Sequence, residues 1–358
     1  MPSRENNDAE DDFANDRSAS SQNNTDASTT TTTRGDFILS SLQPGEIQSI
    51  AWRDTGKHVS RNAFRMGLPA RARESLLEYC HCMGITRMLR GRLHGEHVNN
   101  HDGGHQNHTN SNTSSDRPEV EYVRLQGKEW TIQCSPSTTK AWNSNMHWMS
   151  PRDDTANQAF LRALGAAGLD DMLACIGHHF EWEGLVAYHP SIIAVSRCER
   201  GTFHVDATRT GAKVMNIIIP LLLVDDTDDA TNDQRPAELC LRDDTIHDTV
   251  TGQYRTGQLA YQYHVAALLG DDVQHATAAV TYNTTSVGGT VDSHDRIRMA
   301  ATFYVADITE TNIAAAMDRF VTYPDHYPPP SQPQVLLRAA GAHWQRADPS
   351  KKLPHPKR

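Results

Sequence analysis

The sequence predicts an α+β protein whose C-terminal half is an all-β core of jelly-roll type, a double-stranded β-helix, with flanking helices and a disordered N-terminal segment. From Glu183 onward the chain is a series of short stretches rich in β-branched and aromatic residues, separated by Gly, Asp and Asn turns. No helical pattern falls between those stretches, which favours an antiparallel sandwich or open barrel. Helical periodicity precedes this β-rich stretch, apart from one short segment after it, and the first 35 residues are rich in Asn, Asp, Ser and Thr.

Residues 1 to about 35 end in a threonine run, Thr29–Thr33. Such a segment buries too little apolar surface to offset its ordering entropy. Phe37 to Leu93 reads as a strand or two and then a helix over Ala70 to Leu89. A low-complexity insert follows at 94–117, with His94, His97, His101, His105 and His108. No Cys or regular ligand pair accompanies these histidines, so a polar loop is favoured over a metal tract. Cys80-His81-Cys82 is too tightly spaced for the usual zinc pairs. Val120 to Cys134 reads as a strand. Thr155 to Ala174 reads as a helix, with Ala159, Phe160, Ala163, Leu164, Ala167 and Leu169 near a 3.6-residue period and Asp153 or Thr155 as its cap.

Strands are expected at Leu185–His189, Ile192–Ser196, Thr202–Asp206, Val214–Ile219, Ala237–Leu241, Ala260–Leu269 and Met299–Ala306. A short helix is expected at Thr311–Arg319 and a basic tail at Lys351–Arg358. The division implied is 1–35 disordered, 36–182 an N-terminal α/β support region, 183–310 the jelly-roll core, and 311–358 a C-terminal helix and tail.

Composition narrows the function. The 358 residues carry a net charge of −10, which argues against a generic nucleic-acid binder, since that needs a basic face. Six cysteines are scattered without a framework spacing, and the start has no secretory pattern. The longest apolar run, Ile217–Val224, is too short to span a bilayer and contains Pro220. These features lead us to expect an intracellular protein, cytoplasmic or nuclear, without a membrane anchor. No serine-hydrolase elbow or phosphate-cradling glycine loop is visible.

The chemistry-bearing residues lie in the C-terminal half. His204 and Asp206 form an H-x-D tripeptide in Phe203-His-Val-Asp206, a pattern that 19 histidines make ordinary by itself. Two apart on a strand, both side chains would share one face. His275 follows the Gly270-Asp271-Asp272 turn, and Arg298 lies on the last strand of the core. Two histidines and a carboxylate are the set that binds ferrous iron on one face with positions left open. Each residue also has a plainer reading: a buried His–carboxylate hydrogen bond, a turn histidine satisfied by Asp271 or Asp272, an ion-pairing strand arginine.

In order and placement this set resembles the iron(II)- and 2-oxoglutarate-dependent dioxygenases, in particular their prolyl-hydroxylase-like branch, over about Leu185 to Ile308. The resemblance rests on Phe203-His-Val-Asp206, Asn216-Ile-Ile-Ile-Pro220, Ala237-Glu238-Leu239, Leu269 to Thr277, and Arg298-Met-Ala-Ala-Thr302. It implies iron held by His204, Asp206 and His275, with Arg298 pairing with the distal carboxylate of 2-oxoglutarate. It further implies O2 as cosubstrate, ascorbate as a candidate accessory, and hydroxylation of a protein side chain or small molecule with release of succinate and CO2. The stretch from Tyr282 to Asp295 is longer than the family's hairpin, which leaves Arg296 as a competitor to Arg298. Tyr188, Arg197, Asn216, Thr277 and Thr302 are further candidates for the pocket, with packing or strand pairing as their alternative roles. The competing classes are a non-catalytic jelly-roll interaction protein without a functional iron site, and a cupin-like metalloenzyme with no use for Arg298.

Overall fold

The computed structural model describes residues 36–93, 120–134, 144–199, 201–206, 213–223, 238–248, 253–281, 297–314, 334–341 and 343–347. The segments expected to be disordered (1–35 and 94–117), the Tyr282–Asp295 loop, Arg296 and the basic tail lie outside them. In chain order the elements are β1 (Ile47–Ser49), β2 (Ala63–Gly67), α1 (Ala72–Cys82), α2 (Ile85–Leu93), β3 (Val120–Leu125), β4 (Lys128–Cys134), β5 (Ser144–Pro151), α3 (Asp154–Ala166) and α4 (Leu169–His179). They continue with β6 (Gly184–Cys198), β7 (Val214–Leu222), β8 (Leu239–Asp248), β9 (Gln253–Leu259), β10 (Val265–Gly270), β11 (His275–Thr277), β12 (Val280–Thr281), β13 (Arg298–Asp307), β14 (Gln334–Ala340) and β15 (His343–Arg346). No helix among the described residues is long and apolar enough to cross a membrane.

Two antiparallel sheets face each other. The main sheet runs β1-β2-β10-β7-β13-β6-β5-β4-β3, with β12 and β14 also on β6 and β15 on β14. The smaller sheet runs β11-β8-β9. The main sheet takes strands from both sides of the expected boundaries at 183 and 310, since β5 pairs with β6 and β14 joins the Gly184 end of β6. Helices α1 to α4 cover its outer face, where Leu76, Leu89, Phe160 and Ile176 pack with Ile217, Met299 and Phe303. Its inner face packs against the small sheet through Ile218, Ala267, Leu269 and Ala300 on one side and Leu239, Leu241 and Leu259 on the other. This is the jelly-roll core with flanking helices that the strand pattern predicts.

Several expected elements differ in detail, each for a local reason. The Ala70–Leu89 helix is two helices, α1 and α2, because Gly84 takes a left-handed conformation between them (φ 79°). The Thr155–Ala174 helix is likewise α3 and α4, divided at Gly168 (φ 75°). Asp153 caps α3, its carboxylate accepting from the Ala156 amide at 2.6 Å. Val120–Cys134 is a hairpin rather than one strand, because Gln126 and Gly127 both take positive φ (51° and 72°), the backbone a tight two-residue turn requires.

The separate strands expected at Leu185–His189 and Ile192–Ser196 are the single strand β6, bulged where His189 takes φ 53° ahead of Pro190. The strand expected over Ala260–Leu269 begins only at Val265, after a turn closed by the Gln262–Val265 bridge. Residues 202–206 form no strand, only an isolated bridge between His204 and His275. Of the Thr311–Arg319 helix, residues 310–314 are helical and the rest lies outside the described residues. The β14–β15 hairpin was not expected. It docks where Gly177 of α4 leaves room for the Trp344 ring, which a Cβ at that position would meet at 2.0 Å.

Candidate metal centre

The bridge between His204 and His275 organises the site. Each residue donates its backbone N–H to the other's carbonyl at 3.0 Å. Directly opposed residues of an antiparallel pair present their side chains on one face, and the two imidazoles lie with centroids 4.6 Å apart. The Nδ1 of His204 lies 2.9 Å from the Thr202 carbonyl, and that of His275 lies 3.0 Å from the Val273 carbonyl. A carbonyl can only accept, so each Nδ1 carries a proton, and Nε2 is the nitrogen left to ligate a metal.

Both Nε2 atoms face Asp206. Its Oδ1 lies 3.8 Å from His204 Nε2 and its Oδ2 lies 3.3 Å from His275 Nε2. One ligand atom from each of the three residues falls within 4.8 Å of the others, and among the described residues no other group of His, Cys, Asp and Glu converges in this way. Burial pushes the pKa of His275 down against the opposing pull of the Asp206 charge, which favours the neutral imidazole that ligates metal. Two imidazoles and one carboxylate fit a divalent iron centre with open coordination positions. The site is graded in exposure: the side chains of His275 and Asp206 are 6% and 11% exposed, that of His204 40%.

Asp206 is held in turn by the main sheet. Asn216 Nδ2 donates to Asp206 Oδ2 at 2.7 Å, and the Thr302 hydroxyl donates to Asn216 Oδ1. Thr302 therefore serves the carboxylate through Asn216.

Arg298 begins β13 on the same face as Ala300 and Thr302. It is buried, and Nη1 donates to the Glu238 carbonyl at 3.1 Å. Four residue steps separate it from Thr302, about 13 Å along the strand; the apolar side chain of Ala300 lies on that face between them, and Ile218 stands opposite Thr302. Tyr261 and Cys240 sit near Arg298; burial raises the pKa of both groups and the arginine's charge opposes the rise. A second buried arginine on the inner face, Arg65, is differently placed: its guanidinium donates to Ile38 O, Ser40 O and Gln262 Oε1. Among the described residues Arg298 makes the one hydrogen bond to Glu238, although a guanidinium has five N–H donors.

The other candidates divide. Tyr188 is buried and stacks on Tyr304 with centroids 5.6 Å apart, in a wall that includes His189 and that the sequence did not signal. Tyr304 is the strand partner of Asn216, so this wall stands beside the carboxylate end of the site. Arg197 is half exposed and pairs loosely with Glu199 at 3.7 Å, and Thr277 contacts Met146. Cys80-His81-Cys82 lies on α1 with Cys80 buried and Cys82 exposed, so the two thiols point apart.

No family model and no curated protein matches the chain. Solved structures similar to it include AviO1 from Streptomyces viridochromogenes, at 11% identity and TM-score 0.36, covering 69% of this chain and 90% of that one. A prolyl hydroxylase from Trichoplax adhaerens, solved with a peptide of hypoxia inducible factor, matches at 8% identity and TM-score 0.39, covering 72% and 88%. The non-heme α-ketoglutarate-dependent epimerase SnoN of nogalamycin biosynthesis matches at 12% identity and TM-score 0.37, covering 79% and 92%. All three TM-scores are below 0.5, so the chemistry rests on the residues of this chain.

Proposed function

We propose that this chain is an iron(II)- and 2-oxoglutarate-dependent dioxygenase that hydroxylates a protein side chain or a small molecule. The observation that carries the reading is the convergence of His204 Nε2, His275 Nε2 and the Asp206 carboxylate, with both imidazoles turned ligand-side inward by backbone carbonyls. When bound, ferrous iron with 2-oxoglutarate and O2 supplies the oxidation: one oxygen atom goes to a substrate C–H bond, the other to succinate, and CO2 leaves.

The chain's own residues bind and orient. His204, Asp206 and His275 would hold the metal from one side. The Arg298 guanidinium would pair with the distal carboxylate of 2-oxoglutarate, a charge-assisted and geometrically selective contact. Ala300, between Arg298 and Thr302, and Ile218, opposite Thr302, are both buried and make this part of the inner face apolar. Their small and branched apolar side chains suit a short aliphatic chain, and the low polarity there strengthens the charge pairing.

The test is succinate release from 2-oxoglutarate with ferrous iron and ascorbate, for the native chain and for His204→Ala and Asp206→Ala. The expected result is turnover by the native chain and background release by both variants. Release unaffected by either substitution would remove the assignment in favour of a non-catalytic jelly roll.

A further inference from the structure

We infer that Asn216 and Thr302 are positioning residues that set the orientation of Asp206 as the carboxylate arm of the metal centre, an inference that rests on the metal-binding reading above. Asp206 needs such help because residues 202–206 form no strand: the single bridge at His204 aims that imidazole but imposes no register two residues later. The carboxylate is held from the other sheet instead, by the 2.7 Å bond from Asn216 Nδ2 to Oδ2. That oxygen also faces His275 Nε2 at 3.3 Å, so the amide fixes the carboxylate at the point where it meets the buried histidine.

The amide is itself oriented. Asn216 and Thr302 lie on neighbouring strands, with Thr302 opposite Ile218 and Asn216 opposite Tyr304, which makes them diagonal neighbours on one face. Amide oxygen only accepts, so the Thr302 hydroxyl must donate to it. Flipping the amide would set its oxygen against a carboxylate oxygen and break the bond to Thr302. Both side chains are about 95% buried, at 6% and 5% exposure, so water cannot easily replace either partner. A neutral donor also suits this position. It stabilises the carboxylate and leaves intact the negative charge that a divalent cation needs, whereas an arginine there would neutralise it.

The experiment uses Mn2+ as the probe, titrated into the full chain, with the melting temperature of the metal-free protein measured alongside. The native chain should bind Mn2+ and Asp206→Ala should not. Asn216→Leu should weaken binding by about 10–100-fold, the usual effect of losing a partner of a metal ligand. Thr302→Val should weaken it by a smaller factor, and Thr302→Ser, which keeps the hydroxyl, should bind like the native chain. Thr302→Val against Thr302→Ser carries the test even if Asn216→Leu does not fold. Native affinity in both Asn216→Leu and Thr302→Val, or a loss confined to the melting temperature, overturns the positioning role while leaving the metal centre intact. A native chain that binds no Mn2+ overturns both readings.

Discussion

Strand β13 carries two buried faces with opposite characters. Met299, Ala301, Phe303 and Val305 are wholly buried in the outer core under the helices, and all four are apolar. Arg298, Ala300, Thr302 and Tyr304 alternate with them on the inner face, are almost as buried, and include a cation, a hydroxyl and a phenol. The period of two along a strand sends each set to its own side. Burial is therefore not what separates structure from chemistry here. Partners are: Arg298 is bonded to the Glu238 carbonyl, Thr302 to Asn216, and Tyr304 is stacked on Tyr188. The outer face contributes the stability that lets the inner face hold polar groups out of water.

Substitutions on the two faces should separate these roles. The largest effect is expected from His275→Ala, which removes the most buried of the three proposed metal ligands: metal-dependent succinate release should fall to background with the fold retained by circular dichroism. Phe303→Ala leaves a cavity in the outer core and should cost about 3–5 kcal/mol in urea unfolding, while the folded fraction keeps native metal affinity. Coupled loss of both would mean that the faces are not independent.

His147, on β5 opposite Ala194, is a titratable group of the helix-covered face. Burial, aided by the Arg92 charge, pushes its pKa down from 6.5 to about 4. The folded value is depressed, so the unfolded chain binds the proton more readily. Stability is then fully present above pH 6.5 and lost as pH falls towards 4. At about 1.4 kcal/mol per unit this amounts to at most about 3 kcal/mol. His147→Gln should flatten the stability profile across that window, measured by urea unfolding at successive pH values. The smallest effect is expected from Arg298→Ala, which should raise the apparent Kd for 2-oxoglutarate about 10–100-fold, or about 1.4–2.8 kcal/mol, with Mn2+ affinity unchanged. Arg298→Lys should recover only part of the loss, because an ammonium lacks the planar fork.

The parts of the site that could be read from the sequence are those with short-range signals. His204, Asp206, His275 and Arg298 stand on recognisable spacings, and the structure brings the first three together. What could not be read depends on register or on glycine conformation. Asn216 and Thr302 stand among the pocket candidates in the sequence, but they lie 86 positions apart, and their bond exists only because β7 and β13 are neighbours in one particular register. Gly84 and Gly168 sit inside helical patterns, and whether a glycine continues a helix or ends it is decided by packing. The β14–β15 hairpin follows a proline-rich stretch and gains its place from β6 and α4, both far away in the chain.

The most direct measurement is an anaerobic titration of the full chain with ferrous iron and 2-oxoglutarate, followed by the visible charge-transfer absorption of a 2-oxo acid chelated to iron(II). The band should develop to a stoichiometric end point in the native chain and be absent in Asp206→Ala and His275→Ala. Arg298→Ala should need more 2-oxoglutarate to reach the same end point. No band in the native chain, or an unchanged band in Asp206→Ala, would contradict the placement of the metal centre at His204, Asp206 and His275.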